Sequence, residues 1–222
     1  LQGVRTLWGS FEIRNARLAR TMLLQLSAGE RGNPKRPVDV AFLKAQRDTF
    51  ASLPIAFMPF HGSTPLDRVI KAMWDLVGPV EFDAEGQPVA INQEGPPPHI
   101  ILDNLQFMLA EQHRSSLDKF DLSDRTVAAL RDFASTSGAH VTLVIHPRKE
   151  LDDTPLGIAS ISGTAKATQE ADNIVVLQRI GEQRFLDVKK NRFSGDVGRV
   201  PIGFDPMTRV IYELVEASEH KS

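Results

Sequence analysis

Apolar and polar positions along the chain follow two periods, and their alternation predicts the order of helices and strands. Short runs that are apolar throughout, such as Ile100–Leu102 and Val141–Ile145, are typical of strands buried on both faces. Other stretches repeat apolar residues at helical spacing. The clearest begins at Thr64 and Pro65 and continues to Gly78. We expect Thr64 to cap this helix, Pro65 to fill its first position and Gly78 to end it.

The predicted elements indicate an α/β protein with a mostly parallel, twisted sheet flanked by helices. Strands are predicted at residues 4–11, 55–60, 99–103, 141–145, 172–179, 184–190, 199–204 and 209–214. Helices are predicted after Asn15, at 38–50, at 64–78, at 123–134 with Ser123 as the cap, and at 163–171. Early strands alternate with helices, which favours a parallel sheet covered on both faces. The late strands lack intervening helices, so we expect an antiparallel extension on one edge.

Composition excludes several kinds of site. The 222 residues include 26 Lys+Arg and 28 Asp+Glu, so the net charge of −2 does not favour a protein that coats nucleic acid by charge alone. The sequence has no cysteine, which excludes disulfides, zinc–thiolate sites, Fe–S clusters and thiol nucleophiles. No apolar run approaches the ~20 residues of a membrane span, so none is predicted.

Polar side chains follow three of the predicted strands at their carboxyl ends. They are Glu12, Asp103 and His146, the last followed by two cations. In an open parallel sheet, ligands bind beyond these strand ends. One carboxylate there suits Mg²⁺, a second can orient a nucleophilic water, and a histidine can contact a terminal phosphate. Together the three residues predict nucleotide hydrolysis.

Each candidate also has an ordinary structural interpretation when it is taken alone. Glu12 could be a carboxylate at a helix start, Asp103 a turn residue and His146 a structural histidine. Lys190 and Arg192 are two positions apart, so on a strand they face the same way and could form a solvated edge.

Four segments closely resemble the Twinkle-like mitochondrial replicative DNA helicases. They are residues 7–13 (LWGSFEI), 100–108 (IILDNLQFM), 140–150 (HVTLVIHPRKE) and 190–198 (KNRFSGDVG). The chain is similar, less closely, to bacteriophage primase–helicases and DnaB-type ring helicases. The resemblance covers residues 1 to about 214. It implies a RecA-like motor domain over 1–214 that assembles into a ring, usually a hexamer, with a polar tail at 215–222. It also implies a mitochondrial location.

The resemblance assigns a role to five residues of the hydrolytic site. Glu12 corresponds to the catalytic glutamate that activates water, and Asp103 to the Walker B aspartate that holds Mg²⁺. His146 corresponds to the γ-phosphate sensor. Lys190 and Arg192 correspond to a pair that reaches into the neighbouring subunit's site, with Arg192 as the arginine finger.

The resemblance also implies ligands and partners. ATP or another NTP would bind with Mg²⁺, and Arg179 and Phe204 match the positions that sandwich the base, although ordinary packing explains them equally well. Arg148 and Lys149 begin a loop that projects towards single-stranded DNA. The implied partners are single-stranded and forked DNA, other copies of the chain and replication proteins.

Two features depart from this family. The phosphate-binding loop G-x-x-x-x-G-K-[ST] is absent from these 222 residues. We therefore expect a fragment, or a product lacking an exon, that binds NTP weakly by itself. Residues 78–98 form a proline-rich insertion, predicted as a surface excursion away from the motifs. Two alternatives stay open: a catalytically inactive RecA-like module that binds DNA or assembles in a ring, and a RecA-type strand-annealing ATPase.

Overall fold

A computed structural model describes most of the chain, over residues 3–31, 40–78, 81–84, 88–89, 95–112, 116–147, 154–161 and 165–214. The proposed tail and the DNA-contact candidates Arg148 and Lys149 lie outside the described residues. None of the described helices is long and apolar enough to cross a membrane.

The described elements follow the α/β order expected from the sequence. The helices are α1 (Asn15–Arg31), α2 (Val40–Ala51), α3 (Leu66–Val77), α4 (Leu105–Met108), α5 (Ser116–Ser137) and α6 (Ala165–Glu170). The strands are β1 (Thr6–Ser10), β2 (Ile55–Phe57), β3 (Glu81–Phe82), β4 (Pro88–Val89), β5 (His99–Asp103), β6 (His140–Leu143), β7 (Asn173–Ile180), β8 (Gln183–Asn191), β9 (Gly198–Phe204) and β10 (Ile211–Glu213). A 3₁₀ turn at Ile158–Ser160 and helix α4 were not predicted.

Four strands form the parallel sheet, in the order β2-β1-β5-β6. The register pairs Ser10 of β1 with Asp103 of β5, and Leu102 of β5 with Leu143 of β6. The carboxyl ends of the three strands β1, β5 and β6 therefore lie along the same edge of the sheet. This register brings together the loops that carry the predicted hydrolytic residues.

Helices α3 and α5 contribute buried side chains to the core of this sheet. Val69 and Met73 of α3 are fully buried, and Phe133 of α5 is almost so. Trp74 meets the Phe133 ring edge-on, with 4.7 Å between ring centroids. Burial of a large apolar side chain is worth about 1.5–3 kcal/mol, so the helical stripe read from the sequence is a main source of stability. Gly78 ends α3 with φ of 111°, as predicted.

Two predicted helix caps are wrong. Thr64 lies before the N-cap of α3, which is Pro65, and its hydroxyl donates to the carbonyl of Gly62 instead. Ser123 lies inside α5 and is buried, because that helix already begins at Ser116. The apolar face of α5 extends back to Leu122, which packs against the core, so the helix starts earlier than its strongest periodic positions indicate.

The insertion at residues 78–98 contains more order than its sequence predicts. Strands β3 and β4 pair in an antiparallel manner, with Glu81 opposite Val89 and Phe82 opposite Pro88. Proline is tolerated in such a short pair because the pair has two edges.

The late strands form the antiparallel sheet that the sequence predicts, in the order β10-β9-β8-β7. Among the described residues it is not hydrogen-bonded to the parallel sheet. Strands β6 and β7 instead border a cavity of about 770 Å³, which α5 and α6 also line. Val175 and Leu177 of β7 line this cavity although both are more than half exposed. We call the space between these two strands the β6–β7 slot.

Candidate active site

Asp103 ends β5 at the carboxyl edge of the parallel sheet, where its neighbours perturb its charge. Burial raises the pKa of its carboxyl, and the nearby Glu12 carboxylate raises that pKa further, whereas His146 lowers it. The backbone N–H of Phe11 donates to the Asp103 carbonyl at 2.7 Å, which ties the end of β1 to the end of β5. Two carboxylates and an imidazole are thus electrostatically coupled at this edge.

Asn104 joins the other two residues directly. Its side chain is fully buried, and Nδ2 donates to Oε2 of Glu12 at 2.6 Å. The same Nδ2 lies 3.2 Å from Nε2 of His146. Because the amide nitrogen is a donor, Nε2 can accept from it only in the tautomer whose proton is on Nδ1. One buried amide therefore contacts both a carboxylate and an imidazole.

Helix α4 holds this amide and the histidine in place. Oδ1 of Asn104 accepts from the N–H of Phe107 and caps the helix. Gln106 makes two bonds to the backbone of His146: its Nε2 donates to the carbonyl at 3.2 Å, and its Oε1 accepts from the N–H at 3.1 Å. Residues at the ends of β5 and β6 are thus fixed through one short helix. Gln106, interpreted from sequence as a local hydrogen-bonding residue, bonds to the histidine itself.

Sequence analysis missed the role of Asn104. The signal was available, because an asparagine that precedes an apolar run directly after a strand is typical of a helix cap. Its contacts to Glu12 and His146 depend on the register of β1, β5 and β6, which sequence patterns do not give.

The site is open enough for a ligand. The side chains of Glu12 and His146 are 37% and 51% exposed, and Oε2 of Glu12 lies 3.7 Å from Nε2 of His146. In the part of the chain that the structure describes, no group of three or more His, Asp or Glu residues could enclose a metal ion. Asp103 fits Mg²⁺ as a single protein ligand, since Mg²⁺ keeps several waters and phosphate oxygens. A cation there would also relieve the repulsion between Asp103 and Glu12.

Lys190 and Arg192 lie together at the end of α6 rather than beside the carboxylates. Nζ of Lys190 donates to the carbonyls of Thr168 and Gln169, at 2.9 and 3.1 Å. Nη2 of Arg192 donates to the carbonyl of Gln169 at 2.9 Å. The Arg192 side chain also pairs with Asp172 and remains 48% exposed. Both predicted trans-acting cations therefore share one anchor.

The predicted base-binding pair lies on the antiparallel sheet. Arg179 donates to the carbonyl of Gly181 and to Glu182, within its own hairpin. The guanidinium of Arg184, a residue that sequence analysis did not single out, lies 5.8 Å from the centre of the Phe204 ring. The register aligns Arg179 with Arg184 and Arg184 with Ile202, two positions before Phe204, so these side chains share a face. Base binding by Arg179 and Phe204 stays a prediction.

The predicted DNA-contacting loop is delimited at its base. Pro147 and Ile161 form an isolated antiparallel bridge, which brings together the two ends of the segment that contains Arg148 and Lys149. DNA contact by these two residues stays a prediction.

Comparisons with known proteins agree with this architecture. A family model described as an AAA domain matches residues 1–152. The solved ATPase domain of one helicase has a similar fold, with a TM-score of 0.69 and 14% sequence identity, over 96% of this chain and 75% of that one. A DnaB-like replicative helicase, described with its interactions with primase, gives a TM-score of 0.67 and 14% identity, over 91% of this chain and 50% of that one. This chain therefore spans half the length of that helicase. The likeness shows a RecA-like ATPase fold.

Proposed function

Because this chain belongs to the AAA domain family, we propose that it is the motor domain of an NTP-driven, DnaB-type replicative DNA helicase. In this proposal a ring of subunits, a hexamer by resemblance, translocates on single-stranded DNA and unwinds a duplex. The observation that carries it is the cluster of Glu12, Asp103 and His146 joined through Asn104 at the carboxyl edge of the parallel sheet. The fold shared with two helicase structures supports it.

The chemistry assigned to each residue follows from its contacts. Asn104 occupies Oε2 of Glu12, so we assign Oε1 to the attacking water, from which it would take a proton. Asp103 would hold Mg²⁺, which when bound supplies charge neutralisation to the phosphates. His146 would contact the terminal phosphate, and its bond to Asn104 would report that contact to Glu12.

The phosphate cradle must come from outside these 222 residues, which lack the loop motif. By resemblance the loop precedes β1, and we assign the strand that leads into it to the β6–β7 slot. Neither edge of this slot is paired with a further strand in the described part of the chain, and apolar side chains line it. A strand that fills the slot would join both sheets and bring phosphate-binding N–H groups close to Asp103.

Lys190 and Arg192 would act on a neighbouring subunit. Their shared anchor at the end of α6 and the exposure of Arg192 support this role. Arg148 and Lys149 would contact single-stranded DNA in the central channel, and Arg179 and Phe204 the base. Partnership with replication proteins and a mitochondrial location rest on resemblance, and imaging of the tagged native protein would test the location.

Mixed rings test the helicase proposal. In a longer chain that carries a phosphate-binding loop, Arg192→Ala should lower ATP turnover by about 10³-fold or more while sparing nucleotide binding and assembly. Rings that mix Arg192→Ala with Glu12→Gln subunits should regain some activity, because one type of interface then has both an intact finger and an intact glutamate. Arg125→Ala, which removes an exposed arginine paired with Asp121 on α5, is the control and should leave turnover normal. Near-normal turnover of Arg192→Ala, or no recovery in mixed rings, would contradict the trans assignment.

An inactive RecA-like module is the second candidate, favoured by the missing loop motif. A longer chain that contains the loop yet binds DNA or assembles without turnover would support it. Strand annealing without unwinding would favour the third candidate, an annealing ATPase.

A further inference from the structure

Asp172 connects three parts of the molecule. It lies between α6 and β7, and its Oδ2 accepts from Nη1 of Arg131 on α5 at 2.7 Å. Its Oδ1 accepts from Nη1 of Arg192 at 3.1 Å, and its backbone carbonyl accepts from the Arg192 N–H at 2.9 Å. One carboxylate therefore binds two guanidinium groups, one on each oxygen.

These contacts fix the plane of the Arg192 guanidinium. Nη1 is bound to Asp172 and Nη2 to the carbonyl of Gln169, so both acceptors lie on one short segment. The backbone bond anchors the same residue at its other end. Arg131 in turn fixes the carboxylate relative to α5. An arginine with several rotatable bonds is thereby held in one orientation while about half of its side chain remains exposed.

We propose that Asp172 is the positioning residue of Arg192, a role that rests on the proposed function of Arg192 as a trans-acting finger. A finger acts only when its donors meet the transferred phosphoryl in the transition state, so its orientation before the encounter affects the rate. Asp172 supplies that orientation within the subunit that donates the finger, and it does not contact the nucleotide. An ordinary exposed ion pair would contribute little to stability and nothing to a neighbour's site.

The complementation group of Asp172→Ala tests this assignment. In the longer, loop-bearing chain, this change should lower kcat about 10–100-fold with little change in KM for ATP. Mixed with Glu12→Gln subunits, it should regain activity, because the partner then supplies an intact finger. Mixed with Arg192→Ala subunits, it should not. Asp172→Asn, which keeps an oxygen acceptor, should have a smaller effect, and Asp75→Ala, which breaks the exposed pair with Lys71, should have none.

The outcomes separate the two proposals. If Arg192→Ala is inactive but Asp172→Ala turns over normally, the positioning role is wrong and the finger stands. If Asp172→Ala is rescued by Arg192→Ala subunits, or not rescued by Glu12→Gln subunits in rings shown to form, Asp172 serves its own subunit and the positioning role is wrong. If Arg192→Ala itself turns over normally, both proposals fail.

A second measurement on the 222-residue chain needs no activity. Rotation of the Arg192 guanidinium, followed by NMR of its side-chain nitrogens, should be hindered in the wild type and faster in Asp172→Asn. Equal rotation rates in the two proteins would overturn the positioning role even if turnover falls.

Discussion

Gly9 shows how closely the residues behind the candidate site pack. A Cβ added at this position would lie 2.8 Å from Sδ of Met58 and 3.1 Å from Cδ2 of Leu102, and both of those side chains are buried. We therefore expect Gly9→Ala to lower the free energy of unfolding by about 1–3 kcal/mol through overpacking. Urea denaturation measures the change. Gly157→Ala is the control, since its Cβ would meet nothing within 4 Å. Equal stability of the two variants would contradict this account.

Asp103 is expected to oppose folding when it is ionised. Burial and then Glu12 raise the pKa of its carboxyl above the ordinary 3.8, although His146 partly opposes them. Its contribution to stability is thus most favourable below that pH, and it declines as the pH rises through the raised pKa. Asp103→Asn should therefore increase the free energy of unfolding at pH 7, and the gain should shrink towards pH 4. Thermal melts at both pH values measure it, and a destabilised variant at pH 7 would contradict the assignment.

The residues of the site differ in how well the sequence predicts them. Glu12, Asp103 and His146 are predictable because a polar residue after an apolar strand must lie at a sheet edge, and parallel strands share that edge. Asn104 is not, because its value depends on three strands meeting in one register. Roles in nucleotide chemistry stay predictions for all of them.

Element boundaries are predicted less well than elements. The stripe of α3 identifies that helix because its apolar positions are closely spaced and Gly78 ends it. The start of α5 is missed because Ser116 and Ser123 carry the same capping signal, and only packing of Leu122 against the core distinguishes them. Local chemistry offers both starts, and tertiary contacts select one.

The three longest antiparallel strands, β7, β8 and β9, are joined by a buried carboxylate. Asp187 accepts hydrogen bonds from Gln178 at 2.7 Å and from Arg199 at 2.9 Å, and it pairs with Lys189 at 2.8 Å. Burial acts to raise the pKa of Asp187, but the hydrogen bonds and charges of Lys189 and Arg199 outweigh it and hold that pKa below 3.8. The stabilisation is therefore present above about pH 4 and is lost as the pH falls through the lowered pKa.

We expect Asp187→Asn to lower the free energy of unfolding at pH 7 by about 1–3 kcal/mol, because two cations lose their ionised acceptor. The difference from wild type should narrow below pH 4. Urea denaturation across this range measures it, with Asp75→Asn on an exposed pair as the control, expected to cost less than about 1 kcal/mol. A pH-independent difference would show that lost packing, not charge, is responsible.

At the scale of the whole molecule, the alternation of helices and strands predicts two kinds of sheet, and both are present. The slot between them is not predictable. Strand order is set by contacts between distant segments, and no local pattern around β6 or β7 states which edge stays unpaired. The exposure of Val175 and Leu177 in an otherwise apolar strand is the consequence that the structure adds.

This slot makes the 222-residue chain and a longer, loop-bearing chain behave differently. The shorter chain should hydrolyse ATP negligibly, because it has the candidate water-activating and metal-binding groups without the phosphate cradle that positions the reaction. Turnover is measured with Asp103→Asn as the control for contaminating ATPases. Hydrogen exchange should be slower in β6 and β7 of the longer chain, because a strand that fills the slot would bond to their edges, while β10 should be unchanged. Turnover by the shorter chain that Asp103→Asn abolishes would show that the cradle is dispensable. Unchanged exchange in β6 and β7 would show that the slot is filled by something other than the strand before the loop.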